Sequence, residues 1–437
     1  MKTLKLFFAV LLLASVTVSR AQNPIIQTKY TADPAPLVYK DTVFLYVGHD
    51  EDDATNFKMF NWLLYTSTDM VNWTDHGKIA SLHDFSWAPQ NGAWAAQVIA
   101  RNGKFYMYCP IHLKGIGVLV SDSPYGPFKD PLGKPMIFQS INDIDPTVYI
   151  DDDGQAYLYW GNPDCWYVKL NKDMISYSGA IVKIDSKPAN YQEGPWFYKR
   201  AGHYYLAYAS TCCPEGIGYA MSDHATGPWI YKGMIMDGNP VSSGNHPGII
   251  DYKGNSYVFG FNYTLNYAKT KTHNERRSVC LANITYNADG TIPKLPFWLT
   301  EGVRQLGTLD PYVRTEAETI SWASGVKTDK DDEAGMFVTD IDNGDYIRVR
   351  GADFKSGAGK FTANVSGLSG GAIELHVDSL KGPVLGQLDV QGNKTAGHWE
   401  TLTCRIKKVK GVHDIYFVFK GNEGQLFNFN WWKFKKD

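Results

Sequence analysis

Five stretches of the chain repeat one pattern: a short apolar strand, a turn rich in Gly, Asp or Lys, and a second strand crowded with aromatic side chains. They occupy residues 36–48, 97–110, 146–161, 195–210 and 247–262, with starts 61, 49, 49 and 52 residues apart. Further turn and strand signals follow the hairpins, as at Ser67, Ser121, Asn171 and Ser222. A unit of about 50 residues holding two hairpins is the size of a four-stranded propeller blade. Five such units predict a five-bladed β-propeller over residues 22–308. Beyond Thr308 the repeat stops. Short alternating strands such as 345–351, 372–379 and 413–421, separated by Gly-rich turns, predict a β-sandwich over 309–437. The chain reads as all-β, in two domains.

Residues 1–21 read as a signal peptide: Lys2 and Lys5, an apolar run from Leu6 to Ala14, then Ser19-Arg20-Ala21 before Gln22. The run is too short for a membrane anchor. A secreted or periplasmic protein is expected, with no membrane anchor and a monomeric state. Lys and Arg total 43 against 45 Asp and Glu, so the basic footprint of a nucleic-acid binder is missing. The 14% aromatic content suits both core filling and sugar-binding faces. Six scattered cysteines make neither a disulfide scaffold nor a metal site. The adjacent Cys212 and Cys213 read as two free thiols, with a vicinal disulfide the other option.

In a propeller, the first strand of each blade lines the axis, so residues just before the five starts converge on one pocket. Those positions hold Asp33, Trp94 to Gln97, Asp145, Glu193 and His246. Asp before Pro is a common turn former, but Glu193 does not fit that explanation. Trp87, Trp94, Trp160 and Trp196 are expected to flank the pocket. Three converging carboxylates permit glycoside hydrolysis, in which one acid is protonated and another activates water. A third, crowded nearby, raises a neighbour's pKa.

Asp33-Pro, Asp145-Pro-Thr-Val and Glu193-Gly-Pro resemble glycoside hydrolase family 43 in order and spacing. So do the phrases Ser-Asp-x-x-x-Gly-Pro at Ser121 and Ser222, and the run that opens at Arg277. The resemblance implies an inverting enzyme with Asp33 as general base, Glu193 as general acid and Asp145 as the residue that orients the acid and raises its pKa. It also implies that His246 helps hold a hydrated calcium and that Arg277, rather than Arg276, reaches the sugar or the acids. Trp94-Ala-Ala-Gln departs from the usual Trp-Ala-Pro, which appears instead at Trp87.

The tail resembles carbohydrate-binding module family 6 through Glu316-Ala-Glu318, Asn343-Gly-Asp-Tyr-Ile, Gly397-His-Trp399 and Phe427-Asn428. This implies a jelly-roll with Trp399 stacking on a sugar, Asn428 bonding it, and a structural calcium near Glu316 and Glu318. The second stacking aromatic should lie near Phe337, and Asn430 stands where an aspartate is common. The two resemblances together imply an exo-acting enzyme that removes pentose from arabinoxylan, with α-L-arabinofuranosidase ahead of β-D-xylosidase on xylo-oligosaccharides. A propeller lectin without catalysis is disfavoured because all three acids are present.

Overall fold

The computed structural model describes residues 20–185, 187–240, 245–298, 301–392 and 397–436. The expected signal peptide lies outside them except for Arg20 and Ala21, whose backbone joins the strand Arg20–Gln22. Almost all regular structure is strand. Among the described residues the α-helical element is Thr264–Thr270.

Each predicted repeat is one antiparallel sheet, with first strands Tyr30–Tyr39, Gln97–Arg101, Thr147–Ile150, Tyr191–Arg200 and Gly248–Tyr252. These first strands touch in order, and the fifth returns to the first, closing a ring. The second strands lie between neighbouring sheets and are buried on both faces, as in Thr42–Asp50 and His203–Ser210. Continuous burial explains why these stretches are unbroken aromatic and aliphatic runs rather than alternating ones. Outer strands face water: in Tyr177–Lys183 no residue is buried.

The hairpin turns are as specific. Asn102-Gly103, Ala201-Gly202 and Lys253-Gly254 all hold positive φ at both positions. Such two-residue turns match the right-handed twist of the strands they join. At the ring's closure, Ile25 donates from its backbone to the Val279 carbonyl at 2.8 Å. The Asn23 side chain exchanges two hydrogen bonds with the backbone of Leu281. The segment after the expected leader therefore lies along the last sheet.

Residues 315–435 form two antiparallel sheets of six and five strands around a core that includes Phe361, Phe417, Phe429 and Trp432. One short strand leaves this sandwich: Thr319–Ile320 pairs with Trp73–Ser81 as a fifth strand on the first propeller sheet. Asp69, Asn72 and Asp75 from the Ser67 turn signal reinforce the seam. Asp69 accepts from Gln305, Asn72 exchanges bonds with the Arg350 backbone, and Asp75 accepts from Thr328 and pairs with Lys29.

Candidate active site

Local backbone, not side-chain length alone, aims the acids at the axis. Asp33 and Asp145 have φ of 50° and 58°, in the left-handed region. Asp33 lies in a register break between Ala32 and Ala35, and breaks also flank Glu193. Bulges of this kind re-aim side chains and recur beside active sites. After Glu193, Gly194 also has a φ of 58°, and a Cβ there would stand 3.0 Å from the His246 ring. Glycine is required because His246 occupies that space.

The His246 imidazole sits at the centre of the three carboxylates. Its Nδ1 is 3.7 Å from Asp33; its Nε2 is 3.8 Å from Asp145 and 3.5 Å from Glu193. Burial disfavours the imidazolium, but Asp145, Asp33 and Glu193 outweigh it and lift His246 to about 10. Burial, followed by the charges of Glu193 and Asp33, lifts Asp145 to about 8. Glu193 is held below its usual value: burial opposes the shift, while His246 and a hydrogen bond from Asn162 overcome it. Burial and its neighbours thus favour the protonated form of Asp145, while the partners of Glu193 favour its ionised form.

Arg277 is buried and faces the acids. Its Nη1 donates to Asp33 at 2.9 Å, and its Nε and Nη2 fork onto Asp50 at 3.0 and 2.8 Å. Burial pushes Asp50 up, and the forked guanidinium opposes this and favours its ionised form. Arg276 points elsewhere, donating to the Ala54 carbonyl.

The three acids, His246 and Arg277 border a cavity of about 420 Å³. Trp94 lines it, as expected. Trp87, Trp160 and Trp196 do not, correcting the expected ring of tryptophans. The Trp87 indole donates to Asp130 and packs on Phe85. Trp160 is fully buried with its indole on Asp143, and Trp196 donates to the Ile249 carbonyl below the cavity. These rings fill the inter-sheet core, where the largest side chains gain most from burial. Cys212 and Cys213 are joined in a disulfide that borders the cavity, so the free-thiol reading is corrected.

Asp50, Asn162, Glu215 and Phe57 escaped the sequence reading. Asp50 ends the second strand of its sheet, Asn162 follows the second strand of the third, and Glu215 follows that of the fourth. An antiparallel hairpin sets the end of its second strand beside the start of its first, as Asp50 opposite Tyr30 shows. Applied to each hairpin, that rule would have found Asp50 and Asn162; Glu215, directly before the third strand Gly216–Ser222, is reached only through the next hairpin, where Gly216 opposes Ser210.

Oxygen ligands suit calcium, and histidine nitrogen does not. Asp145, Glu193 and His246 place ligand atoms within 4.8 Å of one another, and the two carboxylates supply oxygens of the kind a hard cation takes. In the sandwich, Glu316 forks with Arg314, while Glu318 Oε2 and Asn430 Oδ1 are buried without hydrogen-bond partners among the described residues. Two orphaned oxygens on adjoining segments fit a hard cation. Trp399 packs edge-on against buried Phe337 and donates to Asp331, so Phe337 lies under Trp399 rather than across from it. Asn428 accepts from Thr339.

The sequence profile of Glycosyl hydrolases family 43 matches residues 21–292. The chain belongs to glycoside hydrolase family 43. The profile of Carbohydrate binding module (family 6) matches residues 316–436. An arabinoxylan arabinofuranohydrolase of Paenibacillus polymyxa is 35% identical over 94% of this chain and 74% of its own. Another from Bacillus subtilis is 33% identical over 94% and 92%. A crystal structure of a family 43 arabinoxylan arabinofuranohydrolase from Bacillus subtilis, in complex with cellotetraose, superposes with a TM-score of 0.84 at 32% identity. It covers 95% of this chain and 97% of its own. The fold is thus a β-propeller with a β-sandwich module, and the protein is a glycoside hydrolase.

Proposed function

We propose that this hydrolase is an exo-acting, inverting α-L-arabinofuranosidase on arabinoxylan. The observation that carries the reading is the convergence of Asp33, Asp145 and Glu193, from three separate sheets, around one imidazole in the lining of a single cavity. A cavity of about 420 Å³ accommodates a sugar ring against the acids. Two relatives that match 94% of this chain are named for action on arabinoxylan.

Asp33, neutralised on one side by Arg277, serves as the base that activates water. Glu193 delivers the proton to the glycosidic oxygen. It takes that proton from the Asp145–His246–Glu193 trio, within which the protonated form of Asp145 is favoured. An imidazole edge stands between Asp33 and Glu193, which supports the wide carboxyl separation that inversion needs, about 6.5–9.5 Å.

The propeller spans 22–308 and the module 309–437 in this reading. Trp94 contributes to the pocket wall, and Arg277 acts through Asp33. Trp399 and Asn428 hold polysaccharide on the module. Calcium, where present, is held by Glu318 and Asn430, with Glu316 joining once freed from Arg314, and it would supply the missing charge around Glu318. Near His246, a hydrated ion would be held by His246 with Asp145 and Glu193, and would supply positive charge beside the acids. Secretion or periplasmic export follows from the leader, from a substrate too large to enter a cell, and from Cys212–Cys213, since disulfides persist in oxidising compartments. No described helix is long and apolar enough to cross a membrane.

Product analysis on arabinoxylan tests the reading. Released arabinose with an intact xylan chain is the expected result; xylose as the main product would assign β-xylosidase instead.

A further inference from the structure

Glu215 borders the catalytic cavity but takes no part in the acid cluster described above. It is 3% exposed, and its Oε2 is buried with no hydrogen-bond partner among the described residues. Buried polar atoms in native proteins are nearly always partnered, so an orphan beside a cavity points to a ligand. Glu193, by contrast, has both Asn162 and His246.

The backbone around Glu215 is held firmly. A Cβ at Gly216 would stand 2.4 Å from the Met236 carbonyl oxygen, and one at Gly238 would stand 2.3 Å from that of Pro214. The two chain segments thus pack backbone to backbone on either side of Glu215. The Cys212–Cys213 disulfide borders the same cavity three and two residues upstream. The protein fixes this carboxyl in place and leaves it unsatisfied. That arrangement costs stability, and a ligand in the cavity that supplies the partner offsets the cost.

We infer that Glu215 is a sugar-binding residue of the catalytic pocket, accepting ring hydroxyls of the pentose held against Asp33, Asp145 and Glu193. The inference rests on the reading of this cavity as a pentose site. A carboxylate offers only acceptors, and a pentose presents hydroxyl donors on adjacent carbons. Burial, followed by the charge of Glu193, raises the Glu215 carboxyl to about 7, a penalty that hydroxyl donors relieve. A sugar lacking the matching hydroxyl would leave the group unpaired, so Glu215 also selects against deoxygenated rings.

The test uses the full chain carrying Glu193→Gln, which binds without turnover, titrated calorimetrically with methyl α-L-arabinofuranoside and with methyl β-D-xylopyranoside. Adding Glu215→Ala is expected to weaken the bound glycoside by about 10- to 100-fold, the range for a hydrogen bond to a charged group. Glu215→Gln, which keeps the shape, should give a smaller loss. Neither change should lower the melting temperature, because the partnerless carboxyl is removed. Unchanged affinity in both variants overturns the inference, as does a lowered melting temperature with unchanged affinity, which marks a structural residue. If only the xylopyranoside binds and Glu215→Ala weakens it, the inference stands and the arabinose assignment falls. Failure of both glycosides to bind the Glu193→Gln protein overturns the inference together with the pentose site.

Discussion

Arg277 offers the sharpest separation between a sugar contact and a structural clamp on the catalytic base. Replacing it with methionine keeps most of the aliphatic stem but removes the 2.9 Å bond to Asp33 and the 3.0 and 2.8 Å fork on Asp50. Asp50, with no exposure, is then left buried without its cation, and Asp33, 5% exposed, keeps only His246 at 3.7 Å. Removing one partner of a buried ion pair costs about 3–5 kcal/mol. At about 2–4 °C per kcal/mol for domains of a few hundred residues, the melting temperature should fall by about 6–20 °C. Turnover should fall at least ~100-fold, because Asp33 loses the contact that fixes its position and misplacement by about 1 Å has that effect. Arg277→Lys should recover part of the stability but little of the rate, since one ammonium cannot bridge two carboxylates as a planar fork does. Thermal unfolding by circular dichroism and initial rates on 4-nitrophenyl α-L-arabinofuranoside measure the two effects. A raised KM alone, with melting temperature and kcat near wild type, would refute the clamp and return Arg277 to the role of a sugar ligand.

Glu193→Gln and Asp33→Asn should each lower turnover at least ~100-fold with the fold intact, since positioned acid–base catalysis is worth about 10²–10⁴; near-normal rates would remove these roles. Nuclear magnetic resonance of the first-formed arabinose should show the inverted anomer, and retention would require a covalent intermediate. Trp399→Ala should abolish xylan binding and slow attack on insoluble arabinoxylan while leaving small-substrate kinetics unchanged, because the ring lies outside the catalytic cavity. The pH dependence of stability carries a fourth test. Glu215 is raised from 4.5 to about 7 in the fold, so the native state binds its proton more tightly than the unfolded chain. Ionising the buried carboxyl therefore weakens the fold as pH rises through about 4.5–7, by ~3 kcal/mol at the top of that window. Glu215→Gln should flatten that part of the profile, and identical profiles would refute the assignment.

The sequence alone determined the repeating sheets, because a strand buried on both faces must be apolar throughout and its turns must admit positive φ. Residues such as Gly103, Gly202 and Gly254 carry that requirement openly. It also determined which acids converge, since the five repeats share one direction around the axis and Asp33, Asp145 and Glu193 hold like positions in them. What lies beyond one strand was decided only in three dimensions. Trp87, Trp160 and Trp196 look like Trp94 in the linear chain, and only packing between sheets distinguishes core from pocket wall. Asp50 and Arg277 stand 227 positions apart, and nothing local to either announces the pair. The Thr319–Ile320 strand is too short to carry a pattern, and it is a strand because the first sheet offers it an open edge. Local propensity is written in neighbouring residues; pairing across the ring depends on where the closed fold brings distant ones.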